Sequence, residues 1–243
     1  MKNLLTIVVI RYSEGLSSSP LHDGIELLYP QENETETAFT SRAIKDAKGK
    51  YVLLLRQKFK LDDINPFLNA LDKNSSDMIQ FEGGIVIKTS IAKGVVKRCP
   101  DLFSCYILSI LDCKSILKSN YCPFIFEKRE VVFTEANYNG LLVAARAFIA
   151  VKAKLTKDMY TLTMNALCKR LVIFYIVAMI GIKEGKINSE PLISFDSQLK
   201  GEIVLYLALE KNFTAAKLTK LRKKGFKISY FTAIKFKKIL KAQ

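Results

Sequence analysis

The sequence predicts an α/β fold: a mostly parallel, Rossmann-like sheet flanked by helices, followed by a helical extension. Three observations carry this. Residues 4–10 and 51–55 are short continuous apolar runs, the pattern of strands covered by helices on both faces. Amphipathic helical segments at 37–48 and 62–71 alternate with such strands. Near residues 133–139 the pattern changes from strand-like to helix-like, which divides the chain into an α/β domain, 1–135, and a helical region, 136–243.

Taken in order, 4–10 is the first strand, and 11–24, with Ser17, Ser18, Ser19 and Pro20, lacks a helical period, so the usual crossover helix is shortened or missing. Residues 25–29 form the second strand, ended by Pro30. In 37–48 Ala38, Phe39, Ala43, Ile44 and Ala47 share a compatible face, and Gly49 follows as a C-cap. Residues 51–55 make the next strand. Ile64, Phe67, Leu68 and Leu71 mark the apolar stripe of the helix at 62–71, and 78–81 and 85–87 supply two short strands around Gly83 and Gly84. Asp101, after Pro100, reads as the N-cap of a helix over 102–117.

Composition sets the bounds. With 243 residues and 49% hydrophobic content the chain can bury a sizeable core and is not disordered. Five cysteines without a C-x-x-C spacing and a single histidine, His22, argue against a zinc site and for reduced thiols. His22, in a Pro-Leu-His-Asp-Gly turn, reads as an exposed loop residue. The most apolar stretch, 171–182, is too short to span a bilayer and reads as a buried helix. The net charge of +15 points to anionic partners.

One block goes further. Thr40-Ser41-Arg42-Ala43-Ile44-Lys45-Asp46-Ala47-Lys48-Gly49-Lys50-Tyr51, running straight into the apolar Val52-Leu53-Leu54-Leu55, resembles the helix-to-strand block of inverting family-two glycosyltransferases of the GT-A fold. The Ala47-x-Gly49-x-Tyr51 spacing is the family's, with Arg42 upstream of it. The order of the downstream segments is also similar, through a Leu-Asp-Asp-Ile helix start and on to Gly84-Ile85-Val86-Ile87-Lys88-Thr89-Ser90, so the likeness covers residues 4–130. It implies a sugar-nucleotide cleft.

Two departures qualify that expectation. Where the family carries an acidic D-x-D, this chain has Arg56-Gln57-Lys58, which offers no carboxylate to a divalent ion. Where the family has Asp-Asp-Gly-Ser, Pro30-Gln31-Glu32-Asn33 leaves Glu32 as the carboxylate beside the nucleotide base. The resemblance therefore implies a nucleotide site made of Glu32, Arg42, Arg56 and Lys58, without a metal or other cofactor. If Arg56, Lys58 and Lys60 alternate along an extended strand end, they share one side and could neutralise a diphosphate; a solvated strand end is the alternative. Arg42 is either a contact to the diphosphate or the base, or an exposed helix residue. Asp101 and Asp112 have no adjacent acidic partner, so no general base is assigned.

The second half reads as a helical packing module: helices from residue 138, over 160–182 and over 203–209, then a basic tail. After Glu210 every charged side chain is Lys or Arg. Lys220, Arg222, Lys223, Lys224, Lys227, Lys235, Lys237 and Lys238 alternate there with aromatic and aliphatic residues, the composition of helices that lie on anionic membrane surfaces. A solvated helical face is the alternative.

Three functions follow. The first is a catalytically degenerate glycosyltransferase-like protein of glycan or cell-envelope synthesis, serving as a scaffold that meets a protein partner through its helical half. The second is an active, metal-independent transferase. The third is a basic peripheral membrane or nucleic-acid-binding protein, with nucleic acid less favoured because no binding motif accompanies the charge. The expected location is the cytoplasm, at the inner face of the membrane.

Overall fold

A computed structural model describes residues 3–9, 23–55, 59–81, 84–126, 135–202, 205, 206, 209, 210 and 213–241. The chain divides into two compact units, Met1–Glu130 and Val131–Gln243.

The first unit is α/β. In chain order it comprises β1 (Leu5–Val9), β2 (Ile25–Leu28), α1 (Glu36–Asp46), β3 (Tyr51–Leu55), β4 (Phe59–Leu61), α2 (Asn65–Lys73), β5 (Met78–Phe81), β6 (Gly84–Lys88), α3 (Thr89–Val95), α4 (Leu102–Asp112), β7 (Ile116–Lys118) and β8 (Phe124–Phe126). The main sheet has the order β2-β1-β3-β6-β5-β7, and β4 pairs with β8 in a separate ribbon. The sheet is mixed: β1 is parallel to β2 and β3, and β5 to β7, whereas β6 runs antiparallel to both β3 and β5. The short β5–β6 connection enforces that reversal, since a parallel neighbour needs a crossover of a dozen residues or so.

Strand alternation sorts the core into two layers. Leu5, Ile7 and Val9 of β1 and Tyr51, Leu53 and Leu55 of β3 form one cluster with Phe67, Leu68 and Leu71 of α2. Phe59, Phe67, Phe81 and Phe124 close that layer with ring centroids 5.5 to 5.9 Å apart. Each ring fully withdrawn from water contributes about 2 kcal/mol. On the other side α1 packs on β1, α3 packs on β3 and β6, and α4 packs on α3.

Three expectations change here. Gly49 is not a helix cap: α1 ends at Asp46 with Ala47 as C-cap. The glycine is needed because a Cβ there would stand 2.5 Å from the Thr6 amide nitrogen. Its own N–H donates to Thr6 Oγ1 at 2.9 Å, and its carbonyl accepts from Thr89 Oγ1 at 2.6 Å. The segment 102–117 is not one helix. Asp101 caps α4 as expected, accepting from the Ser104 amide at 2.8 Å, but the helix stops at Asp112. Lys114 N–H turns to Asp77 Oδ2 at 2.8 Å, and Ile116 then pairs with Met78, so the apolar Ile116-Leu117 pair belongs to an edge strand. Finally, α2 begins at Asn65, two residues after Asp63, whose carboxylate accepts from the Asn65 amide at 3.1 Å.

The second unit is helical among its described residues. It contains α5 (Glu135–Val151), α6 (Lys157–Lys183), α7 (Glu190–Leu199), α8 (Ala215–Lys223) and α9 (Tyr230–Lys241). Residues 205, 206, 209 and 210 are also helical. Its centre is Tyr175 on α6, whose ring lies 6.0 Å from Phe195 of α7 and 5.8 Å from Phe226. By length and composition α6 is apolar enough to cross a membrane, yet half of its most apolar window is buried (50%). α5 and α9 both pack on it.

Candidate functional site

In sheets of this kind ligands bind outside the carboxyl ends of the parallel strands, where the chain switches direction across the sheet. That point lies between β1 and β3. From β1 the order runs outward to β2, and from β3 it runs the other way to β6, β5 and β7. Val9 and Leu55 are register partners at the shared carboxyl edge, and β2 ends on the same edge. Arg56, Lys58 and His22 lie outside the described residues, as does the side chain of Lys60. The strand that Lys60 occupies is β4, paired with β8 in a ribbon apart from the main sheet that holds Leu55.

At that carboxyl edge, the loop after β2 is tied to α1. Thr35 caps the helix by accepting from the Ala38 amide at 3.3 Å, which places Glu34 one residue outside it. Arg42, in the second turn, reaches back. Its Nε donates to Glu34 Oε1 at 2.9 Å, and its Nη2 donates to Glu34 Oε2 at 2.7 Å and to the Tyr29 carbonyl at 3.0 Å. Glu34 Oε2 also accepts from the Gln31 amide at 2.9 Å. The fork of Arg42 and the Gln31 N–H hold the Glu34 carboxyl down at about 2, and Glu34 in turn pushes the Arg42 guanidinium above its ordinary value. The guanidinium lies 5.4 Å over the Phe39 ring. Arg42 is thus committed to shaping the loop, with 29% of its side chain exposed.

Glu32 is exposed on the turn of that loop, next to Asn33, whose φ of 60° sits in the left-handed region that asparagine tolerates. Glu34, the carboxylate that the loop organises, is the one that sequence reasoning passed over. The available signal was its position just before a Thr N-cap, eight residues ahead of an arginine.

The two other carboxylates considered as bases are engaged. Asp101 is buried in its capping box with Ser104, and Asp112 accepts from Arg98 Nη2 at 3.0 Å. A divalent ion needs oxygen donors. The side chains of Arg56 and Lys58 carry none, and among the described residues no group of three or more His, Cys, Asp and Glu side chains is placed to hold an ion. The donor set does not fit the metal that the resemblance would otherwise bring.

The basic tail is a helix, a turn and a helix, with an inner and an outer side. Phe226 has φ 60° directly after Gly225 at φ 57°, and its N–H returns to the Leu221 carbonyl at 2.7 Å, a helix-ending turn that buries the ring. Arg222 forms two bonds to Asp196 of α7, Nε to Oδ2 at 2.7 Å and Nη2 to Oδ1 at 2.9 Å, while the Tyr175 hydroxyl donates to Asp196 Oδ1 at 2.7 Å. Burial beside Asp196 pushes the Tyr175 phenol well above its ordinary value. Lys237 pairs with Glu184 at 2.5 Å. Arg222 therefore serves the inside of the unit, whereas Lys220, Lys223, Lys224, Lys227, Lys235, Lys237 and Lys238 are exposed, Lys237 while paired with Glu184. Set against models of known families and against curated proteins, the chain matches none.

Proposed function

We infer that the chain is a glycosyltransferase-like protein that has given up transfer and works as a partner or scaffold subunit in glycan or cell-envelope synthesis. One observation carries the reading: β3 ends at the switch point of a mixed α/β sheet, and the residues that follow Leu55 are Arg56-Gln57-Lys58. A crevice at that point suits a nucleotide diphosphate. Arg56 and Lys58 carry cations, which bind phosphate by charge but cannot hold a divalent ion. Arg42, spent on Glu34 and Tyr29, adds a loop clamp. The carboxylates Asp101 and Asp112 are occupied as a helix cap and an ion-pair partner, which leaves neither as a base for an acceptor hydroxyl.

The test is calorimetric titration with UDP, GDP, CDP and dTDP sugars, with Mn²⁺ and with chelator, alongside an assay for release of the nucleoside diphosphate in the presence of glycan acceptors. The reading expects no turnover, with any binding surviving chelation and falling when Arg56→Ala and Lys58→Ala are combined. Turnover in chelator would overturn it in favour of an active, metal-independent transferase. Binding that requires Mn²⁺ would overturn the assignment of a basic cleft.

A further inference from the structure

The outer side of α9 has no role in the packing of its unit, and its chemistry is specific. Ala233 is buried and Phe236 and Leu240 are partly buried, so the contact of α9 with α6 uses one flank of the helix. The opposite flank begins with Tyr230 and Phe231, which are 67% and 77% exposed, followed a turn later by Ile234 at 36%. The two rings stand edge to face with centroids 6.1 Å apart, in contact with each other and open to water. At a rotation of about 100° per residue, Ile234, Lys235 and Lys238 fall within about 60° of Phe231 on the helical wheel. All three are exposed. Lys223, Lys224 and Lys227, just ahead of Tyr230, are exposed as well.

The charge on this flank is of one sign. Neither α8 nor α9 contains a carboxylate. The nearby carboxylates are already paired, Asp196 with Arg222 and Glu184 with Lys186 and Lys237. Apolar rings at one end of a short helix, lysines at its other end and lysines in the preceding turn match an interface where acyl chains meet anionic headgroups. Nucleic acid is a poorer match, because the flank lacks the Arg, Asn and Gln side chains that read base edges and fork onto phosphates.

We propose that the outer flank of α9 docks the protein on an anionic lipid surface, with Tyr230, Phe231 and Ile234 entering the headgroup layer and Lys227, Lys235 and Lys238 pairing with lipid phosphates and carboxylates. This is independent of what the sheet crevice binds.

The chain contains no tryptophan, so Phe231→Trp creates a single reporter at the deepest point of the proposed contact. The full-length variant is titrated with vesicles of phosphatidylcholine alone and of phosphatidylcholine with about 30% of the anionic lipid phosphatidylglycerol. The expected result is a blue shift of the emission on anionic vesicles only, reversed by high salt. In flotation, Lys235→Ala with Lys238→Ala should weaken partition on the order of 30-fold, at about 1 kcal/mol per lysine. Tyr230→Ser with Phe231→Ser should weaken it on the order of 10-fold, with the circular dichroism melt unchanged because these side chains are not in the core. An emission maximum unmoved by anionic vesicles overturns the proposal. So does equal binding to neutral vesicles, or a shift produced by a DNA or RNA oligonucleotide and not by lipid.

Discussion

Arg42 reaches back over Thr35 and grips both oxygens of Glu34, while one of its terminal nitrogens also holds the Tyr29 carbonyl. The pair fixes the loop between β2 and α1 at the carboxyl edge of the sheet. Because the folded-state value of Glu34 is depressed to about 2, its stabilisation is present above the ordinary glutamate range and is lost as pH falls toward that value. In urea titrations Glu34→Gln should be less stable than the parent at pH 7, and the difference should shrink steadily below pH about 4.5 and vanish near pH about 2. A difference that does not depend on pH would show that the carboxylate charge is immaterial.

Two glycines should respond in opposite directions. Gly49→Ala forces a methyl against the Leu5–Thr6 backbone, with a closest approach of 2.5 Å, and should destabilise the first unit by about 1–3 kcal/mol. Gly94, exposed in α3 with nothing within 4 Å of an added methyl, should gain about 0.5–1 kcal/mol on substitution by alanine. Thermal melts of the two variants would check both signs.

In the second unit Asp196 joins Tyr175 and Arg222. Tyr175→Phe removes one donor and should cost about 1 kcal/mol, since Arg222 still satisfies the carboxylate. Asp196→Ala leaves a guanidinium and a buried phenol without their acceptor and should cost about 3 kcal/mol or more. Chemical denaturation of both variants gives the comparison, and equal losses would contradict the proposed hierarchy.

Thiol chemistry offers a fourth check. Burial, with the carboxylates Asp77 and Asp112 nearby, pushes the Cys113 thiol up to about 12, and contact with the Cys99 thiol together with burial raises Cys105. Alkylation with iodoacetamide at pH 8, read by peptide mapping, should leave both unmodified in the folded protein, because the thiolate is the reactive form. Labelling of Cys113 as fast as that of the partly exposed Cys99 would contradict the burial.

Legibility in the sequence followed the reach of the interactions. The strand Tyr51–Leu55 could be read to the residue, because five consecutive apolar side chains satisfy a two-faced environment without further information. The end of α4 could not. Ile116 and Leu117 continue a helical apolar pattern, and only the Asp77 contacts to Lys114 and Ser115, nearly forty residues away in sequence, divert the chain. α7 was missed although Leu192, Phe195 and Leu199 recur at helical spacing and Pro191 marks its first turn, so that signal was present and unused. The ribbon of β4 and β8 rests on three-residue strands whose pairing is long-range. At the candidate site the sequence pointed to Arg42, but the Glu34 bond depends on how the Pro30–Thr35 loop folds back. In the tail the charges were legible, whereas their division into inner and outer sides depended on Phe226 taking a left-handed backbone that local pattern gives no reason to expect.

The burial of α6 has a practical corollary for any shortened form of this protein. Phe213, Leu218, Phe226 and Ala233 lie against the rest of the unit, so deleting everything after Glu210 would strip more than lysines. It would uncover the side of α6 on which α9 packs, and α6 has the length and hydropathy of a bilayer-crossing segment. A fragment of that kind would pellet with lipids or detergent for reasons foreign to the intact molecule, and point substitutions on the outside of α9 are the cleaner instrument.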